Sequence, residues 1–446
     1  MKRIYKITQV ALFGAFIVGC TDLDTAPLSS TITADQKEDV VAADPSKIEA
    51  SVTAITANFT QYAKIYTEDD NVHSDIGYPT IMLATDSRTT DFVADITGYN
   101  WYSNSANYSD CLITSTATIE FWGTLYNQIY TANAVIGTVD NETSDSTLQF
   151  YLAQALAIRA FDYFTLVQLY QFNYKGHEDA PGVPIITSEN AEEVAANGCA
   201  RSTVKETYEF ILGDLNKAIE LLANTKKTRS DKRYVSLDVA YGIRARVHLT
   251  MHNYADALKD AEAALASTSS VPYSSAAVSK PTFIDIEDAS WMWGILITDK
   301  DRVSTTGICN FPSHMGSLNY GYASVGGWRR ISPKLYNQIP ESDVRKGWFL
   351  DDTGVSVNLP AAAQAYITKK GAPVYTQVKY GPMNDEWGSN NNATDVILMR
   401  VEEMYLIKAE AQAMNNDVSG GVNTLNSFVN TYRDPSYKCT ATTGEA

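Results

Sequence analysis

The spacing of apolar side chains between residues 122 and 222 constrains this chain more than any other feature. Trp122, Tyr126, Ile129, Asn133 and Ile136 follow one another at steps of four, three, four and three. Leu152, Leu156, Ala160, Tyr163, Val167 and Tyr170 keep that rhythm, and so do Val204, Tyr208, Ile211, Leu215, Ala218 and Leu222. Steps of three and four lay side chains on one face of a helix, so each set predicts a helix with one buried stripe. Thr203 and Glu206 stand three apart at the start of the third, the pattern of a capping box.

The next segment narrows the architecture. "AYGIRARVHLTMHNYADALKDAEAAL" reads as two short helices with a turn at His252–Asn253. Tyr241, Ala245, Ala257 and Ala264 sit at offsets of 4, 12 and 7, matching the tetratricopeptide pattern, in which small residues let paired helices close up. One such unit cannot bury its own face and needs neighbours. A second pair follows at "LMRVEEMYLIKAEAQAMNNDVSGGVNTLNSFVNTYR", with Met404, Ile407, Ala411 and Met414 as its stripe and Ala409 as its small residue. Residues 268–395 between the pairs break the pattern. They are rich in Ser, Gly, Asn, Tyr and Trp, and "SWMWGILIT" alternates like a strand. The fold class expected is therefore predominantly α: a tetratricopeptide-like helical repeat scaffold over 46–267 and 396–446, carrying an inserted irregular loop and short-strand region over 268–395.

The N-terminus has a different purpose. Lys2, Arg3 and Lys6 precede a nine-residue apolar run, Val10 to Val18. A membrane-spanning helix needs about 20 apolar residues, whereas a basic start, a short apolar core and small residues describe an export signal, here residues 1–19. Ile17-Val18-Gly19-Cys20 resembles a bacterial lipobox, which implies lipid attachment at Cys20 and anchoring in the outer membrane through acyl chains. Asp22 and Asp24 resemble the acidic tags of Bacteroidetes lipoproteins shown on the cell surface. Residues 20–45, rich in Thr, Ser, Asp and Ala, read as a flexible tether.

Net charge is −17, and removing residues 1–19 takes away three cations and no acids, leaving −20. Such a chain is repelled by nucleic acid, and no basic run offers an exception. Cys111, Cys199, Cys309 and Cys439 lie far apart with no metal-type spacing, so their disulfide state stays open. With 27 Tyr against 14 Phe, the chain favours aromatics that are apolar on one side and polar at the tip, as half-wet recognition surfaces require.

Five stretches together are similar to the SusD/RagB family, the starch-utilisation-type nutrient-binding lipoproteins. "NGCARSTVKETYEFILGDLNKAIELL" resembles the segment in which Arg-Ser/Thr opens a helix ending Asp-Leu-x-x-Ala. "FWGTLYNQIYTANAVIGTV" resembles the Trp-x-x-Leu-Tyr helix, "RRISPKLYNQIPESDVRKGWFL" the Ser-Pro-x-x-Leu-Tyr…Asp-x-Arg element, and "VILMRVEEMYLIKAEAQA" the Leu-x-Arg-x-x-Glu-x-Tyr-Leu helix. The lipobox with "CTDLDTAP" is the fifth, and the resemblance runs from Cys20 to about Arg433. It implies a cell-surface glycan-binding lipoprotein, not an enzyme, that passes oligosaccharides to a SusC-like TonB-dependent outer-membrane transporter. Other members take peptides or other nutrients, so those ligands remain alternatives, as does a tetratricopeptide-type docking protein with no small ligand. The resemblance also leads one to expect a further helical segment where this sequence reads "CTATTGEA".

A glycan platform needs flat apolar faces for sugar rings, with amides and charges beside them for hydroxyls. "ATDSRTTDFVADITGYNWYSN" offers Tyr99, Trp101 and Tyr102 in a loop without helical period, flanked by Asn100 and Asn104, with Asp86, Arg88 and Asp91 upstream. The family resemblance points to Trp101 as the stacking residue of such a loop. "NYGYASVGGWRR" offers Tyr320, Tyr322 and Trp328 among glycines that permit close approach of a ligand. Trp291 and Trp293 alternate onto one face of a strand and read as core. Trp122 belongs to its helix stripe, and Trp387 in "NDEWGSNNN" looks exposed. His248 and His252 are four apart, but "HLTMH" has Leu where a zinc protease carries its glutamate base. No GxSxG, phosphate loop or CxxC occurs, and no pair of carboxylates stands in a setting that marks a glycosidase.

Overall fold

The computed structural model describes residues 34–62, 72–95 and 97–444. Cys20 and the export features of residues 1–33 lie outside the described residues. The chain divides into two units, one ending at Lys47 and the other beginning at Ile48. In the first, residues Ala34–Ala43 form helix α1, where a flexible tether was expected. Ala34, Gln36, Lys37 and Glu38 are all good helix formers, which explains the difference.

The second unit is a row of helices. It comprises α2 (Glu49–Ala57), α3 (Tyr78–Asp86), α4 (Thr116–Ile136), α5 (Ser146–Tyr170), α6 (Val204–Asn224), α7 (Leu237–Thr250) and α8 (Tyr254–Ser267). From α4 to α8 each helix packs on the next, and after the insertion α9 (Val401–Met414) packs on α8 and α10 (Val418–Tyr432) on α9. Ala245, Ala257 and Ala264 are fully buried, as the repeat pattern requires. Gly242 does the same service for α7: a Cβ there would lie 2.5 Å from Met399 Sδ. His252 turns the chain between α7 and α8 in the left-handed region, φ 62°. The capping box of Thr203 and Glu206 forms as read, with Glu206 N–H donating to Thr203 Oγ1 at 3.1 Å and Thr203 N–H to Glu206 Oε2 at 2.8 Å.

Helix α5 departs from the one-stripe expectation, because every residue from Phe150 to Phe164 is buried. Its second face is covered: the Phe161 ring meets Phe59, Tyr78 and Trp293 at centroid distances of 6.1, 5.1 and 5.1 Å. Arg159 and Gln154 are paired inside, whereas neither carboxyl oxygen of the buried Asp162 has a hydrogen-bond partner among the described residues, and burial raises its pKa. Arg159 donates two bonds to Asp214 on α6, both 2.8 Å, and Gln154 exchanges two with the Val235 backbone.

The insertion is clasped to the scaffold by a two-stranded antiparallel sheet of β1 (Trp291–Ile295) and β2 (Val396–Arg400). Trp291 and Trp293 are both fully buried, as expected, but they do not share one packing surface. The register shifts between them, so Trp291 joins Tyr273, Val278, Phe283 and Ile286 while Trp293 packs on Phe59 and Phe161. β2 runs directly into α9, where Glu402 gathers the insertion onto the last helices. Its carboxylate accepts from the Tyr273 N–H, the Ser290 hydroxyl and Arg433 Nη2, each at 3.0 Å. Both members of the Glu402–Arg433 pair are almost wholly buried.

Removing one partner of a buried pair leaves an uncompensated charge, which costs about 3–5 kcal/mol. Glu402→Ala is therefore expected to lower stability in urea denaturation by an amount in that range. A loss below about 1 kcal/mol would show that the junction is not held this way.

Candidate functional site

The two aromatic stretches, more than two hundred residues apart in sequence, meet in space. Val93 and Arg330 exchange backbone hydrogen bonds of 2.6 and 2.7 Å, and Arg330 pairs in turn with Thr376. The loop after α3 is thereby laid along the insertion. Gly326 and Gly327 make the approach possible: Gly326 has φ 150°, a Cβ there would lie 2.7 Å from the Tyr99 ring, and one on Gly327 would lie 2.9 Å from Tyr99 O. The glycines of "SVGGW" thus serve loop against loop as well as turning the chain.

Beneath the loop lies Arg329, whose side chain is fully buried. It donates from Nε to His314 O at 2.7 Å and from Nη1 to Asn100 Oδ1 at 2.8 Å, and lies 4.8 Å over the Phe92 ring. Burial lowers its pKa to about 10, so it stays charged near neutrality. Asn100 Oδ1 also accepts from the Tyr102 N–H, and Asn100 Nδ2 donates to Asp95 O. Asn100 is therefore committed to shaping the loop rather than to a ligand.

Trp101, next in sequence, is 37% exposed. His73 lies against its ring, centroids 4.9 Å apart and tilted by 33°, and Tyr322 meets it edge-on at 6.2 Å. The Tyr322 hydroxyl is hydrogen-bonded to His73 Nδ1, and Tyr322 stacks on His314 at 4.8 Å. His314 Nε2 is hydrogen-bonded to His73 O at 2.9 Å. Burial pushes both imidazoles below their usual pKa, His314 to about 3, so both are neutral at pH 7. An indole braced from behind by uncharged rings keeps its orientation before any ligand arrives.

Trp101 borders a cavity of about 510 Å³, which Tyr102, Asn104, Ser105, Asp110 and Glu120 also line. That is the size range of small-molecule sites. Asp110 is buried and takes a 2.7 Å bond from Arg88 Nη2, so Arg88, read as a hydroxyl-binding group, is paired with Asp110, while its Nε is buried without a hydrogen-bond partner among the described residues. Glu120, on the first turns of α4, is 3% exposed. Burial, with the neighbouring Asp75, raises its pKa to about 8 against a hydrogen bond from Ser74, so it holds its proton at neutral pH.

The other expected residues divide by burial. Tyr99 and Tyr320 are exposed, and Tyr320 carries Lys370 Nζ 5.8 Å over its ring. Asp86 is exposed at the end of α3. Tyr102 and Tyr322 are buried, and they brace the site from within. Trp328 does not fit the expectation of ligand stacking: it is 8% exposed and belongs to a buried cluster with Leu318, Leu350, Ile367 and Val378. Trp387, read as exposed, is half-buried against the same cluster. His73 and Glu120 were not singled out in the sequence; neither stands in a motif, and only folding brings them to Trp101.

The Glu120 carboxyl predicts a pH effect. Its folded pKa of about 8 exceeds the ordinary 4.5, so the folded state holds a proton that the unfolded state releases between those values. Its contribution to stability must therefore fall as pH rises from about 4.5 to 8. Glu120→Gln is expected to reduce that fall in urea midpoints measured from pH 5 to 9. Equal slopes for the two proteins would overturn the assignment.

Residues 35–249 match a family model described as SusD-like, starch-binding associating with outer membrane. No curated protein matches. Among solved structures, the chain is similar to a SusD-like carbohydrate binding protein from Bacteroides vulgatus, at 24% identity and TM-score 0.69, covering 90% of this chain and 77% of that one. A SusD superfamily protein from Bacteroides thetaiotaomicron matches at 20% identity and TM-score 0.66, over 87% of this chain and 80% of the other. Surface glycan-binding protein A from the same organism, in complex with laminarihexaose, matches at 17% identity and TM-score 0.59, over 88% and 84%.

Proposed function

We propose that this chain, which belongs to the SusD/RagB family, is a surface lipoprotein that captures glycans at Trp101 and passes them to a SusC-like TonB-dependent transporter. The observation that carries the reading is the braced indole: an exposed tryptophan, fixed by His73 and Tyr322, bordering a cavity lined by many hydroxyl groups and the Asn104 amide. A sugar ring offers C–H bonds on its faces and hydroxyls on its edge. An indole beside hydrogen-bonding side chains answers both.

Support of a coarser kind comes from the family model and from the glycan held by a protein of the same fold. Among the described residues no helix is long and apolar enough to cross a membrane. Membrane attachment in this reading rests on Cys20 and its lipid, and delivery rests on a transporter beneath.

Stacking of a ring-shaped ligand on an aromatic side chain contributes about 1–3 kcal/mol, by analogy with bases. Trp101→Ala is expected to weaken binding about 5- to 150-fold. Affinity electrophoresis of the full chain on a broad polysaccharide panel, with the variant beside it, provides the measurement. Retardation by a glycan that Trp101→Ala leaves unaltered would remove Trp101 from the site. Retardation by no glycan, from folded protein, would overturn the function.

A further inference from the structure

Resting on that reading, we propose that the cavity beside Trp101 selects uncharged glycans and rejects those bearing carboxylate or sulfate groups. The argument is the charge inventory of the wall. Asn104, Ser105 and Thr114 line it with an amide and hydroxyls, groups that both donate to and accept from sugar hydroxyls, while the lining hydroxyls of Ser74 and Thr80 are bonded to Glu120 and to the backbone. Its two ionisable carboxyls are Asp110 and Glu120, and no described lining residue is Lys, Arg or His.

Cations close to the site do not alter this. Arg88, the nearest on the loop, is bonded to Asp110. Arg329 is sealed beneath the loop on Asn100 and the His314 carbonyl. His73 braces Trp101 and is neutral. An anionic sugar entering here gives up hydration and finds no cation in the described lining, since the adjacent Arg88 is already paired with Asp110, and an unpaired buried charge is costly. Refusal by an unpaired charge is an effective route to specificity. Glu120, which also lines the cavity and keeps its proton, adds no negative charge and is compatible with a neutral ligand. The net charge of −17 opposes anionic polymers at longer range as well.

The test compares the full chain on neutral polysaccharides (starch, mannan, β-1,3-glucan, arabinan) and anionic ones (polygalacturonate, alginate, chondroitin sulfate). The neutral glycan retained most strongly is then oxidised at its primary hydroxyls to carboxylates, and both forms are titrated calorimetrically. Retention confined to neutral glycans, with the oxidised form bound at least tenfold more weakly, is the expected result. Thr114→Lys places a cation on the exposed lip of the cavity, and it is expected to narrow the ratio between neutral and oxidised forms. An anionic glycan bound as tightly as any neutral one overturns this inference and leaves glycan capture standing. Absence of binding to every polysaccharide overturns both.

Discussion

A guanidinium without a carboxylate partner holds the site together. Arg329 is wholly buried and still charged, and its hydrogen bonds go to a carbonyl and to a side-chain amide. Taking that charge out of water is costly, so the arrangement persists only if the groups around it keep their places. Those groups are Asn100, beside Trp101, and His314, whose ring supports Tyr322 and whose Nε2 meets the His73 carbonyl. One buried cation therefore couples the orientation of the exposed indole to the packing of the insertion. The backbone pairing of Val93 with Arg330 adds a second tie in the same place.

This explains the division of labour between scaffold and insertion. The helical row from α4 to α10 is built from local contacts, small residues at the crossings and paired polar groups such as Arg159–Asp214. The loop between α3 and α4, which carries Trp101, belongs to this part of the chain, and Glu120 of α4 lines the cavity. The insertion has little regular structure, yet the β1–β2 clasp and the Glu402–Arg433 junction fasten it at both ends. It lines none of the cavity, but it supplies Tyr322, His314 and Arg329, which brace the Trp101 loop through the Trp101 ring, the His73 carbonyl and Asn100.

The helices were legible because period and caps are local properties. The stripe of α6, the capping box at Thr203 and the repeat alanines needed no knowledge of distant neighbours, whereas on α4 the buried face runs through Phe121, Leu125, Ile129 and Ala132 and leaves Trp122, Tyr126 and Ile136 half-buried. The full burial of α5 was not legible, because its second face is covered by Phe59, Tyr78 and Trp293, and a stripe cannot announce what lies behind it. The site was legible as composition only. Gly and aromatic residues in "GYNWY" and "NYGYASVGGW" marked two loops that pack on each other. Which aromatics face out is decided by long-range packing: Trp101 stays half-open while Trp328 fills a cluster with Leu318 and Leu350. His73 and Glu120 reach the site from separate elements, with nothing in their own sequence surroundings to single them out.

Two features of the site work against the stability of the fold. Glu120 is buried beside Asp75, and keeping it protonated above its ordinary pKa is a folding cost that grows with pH. The cavity of about 510 Å³ brings the apolar side chains of Phe121, Ala84 and Leu112 to a surface shared with polar groups. A site selected for stability alone would replace the acid with an amide or an apolar residue and cover those side chains. Local conflicts of this kind are expected at functional sites, where stability is given up for a surface that something else completes. That both conflicts lie within reach of the one indole braced by neutral rings is the physical reason to place the ligand there and not on the exposed Tyr99 or Tyr320.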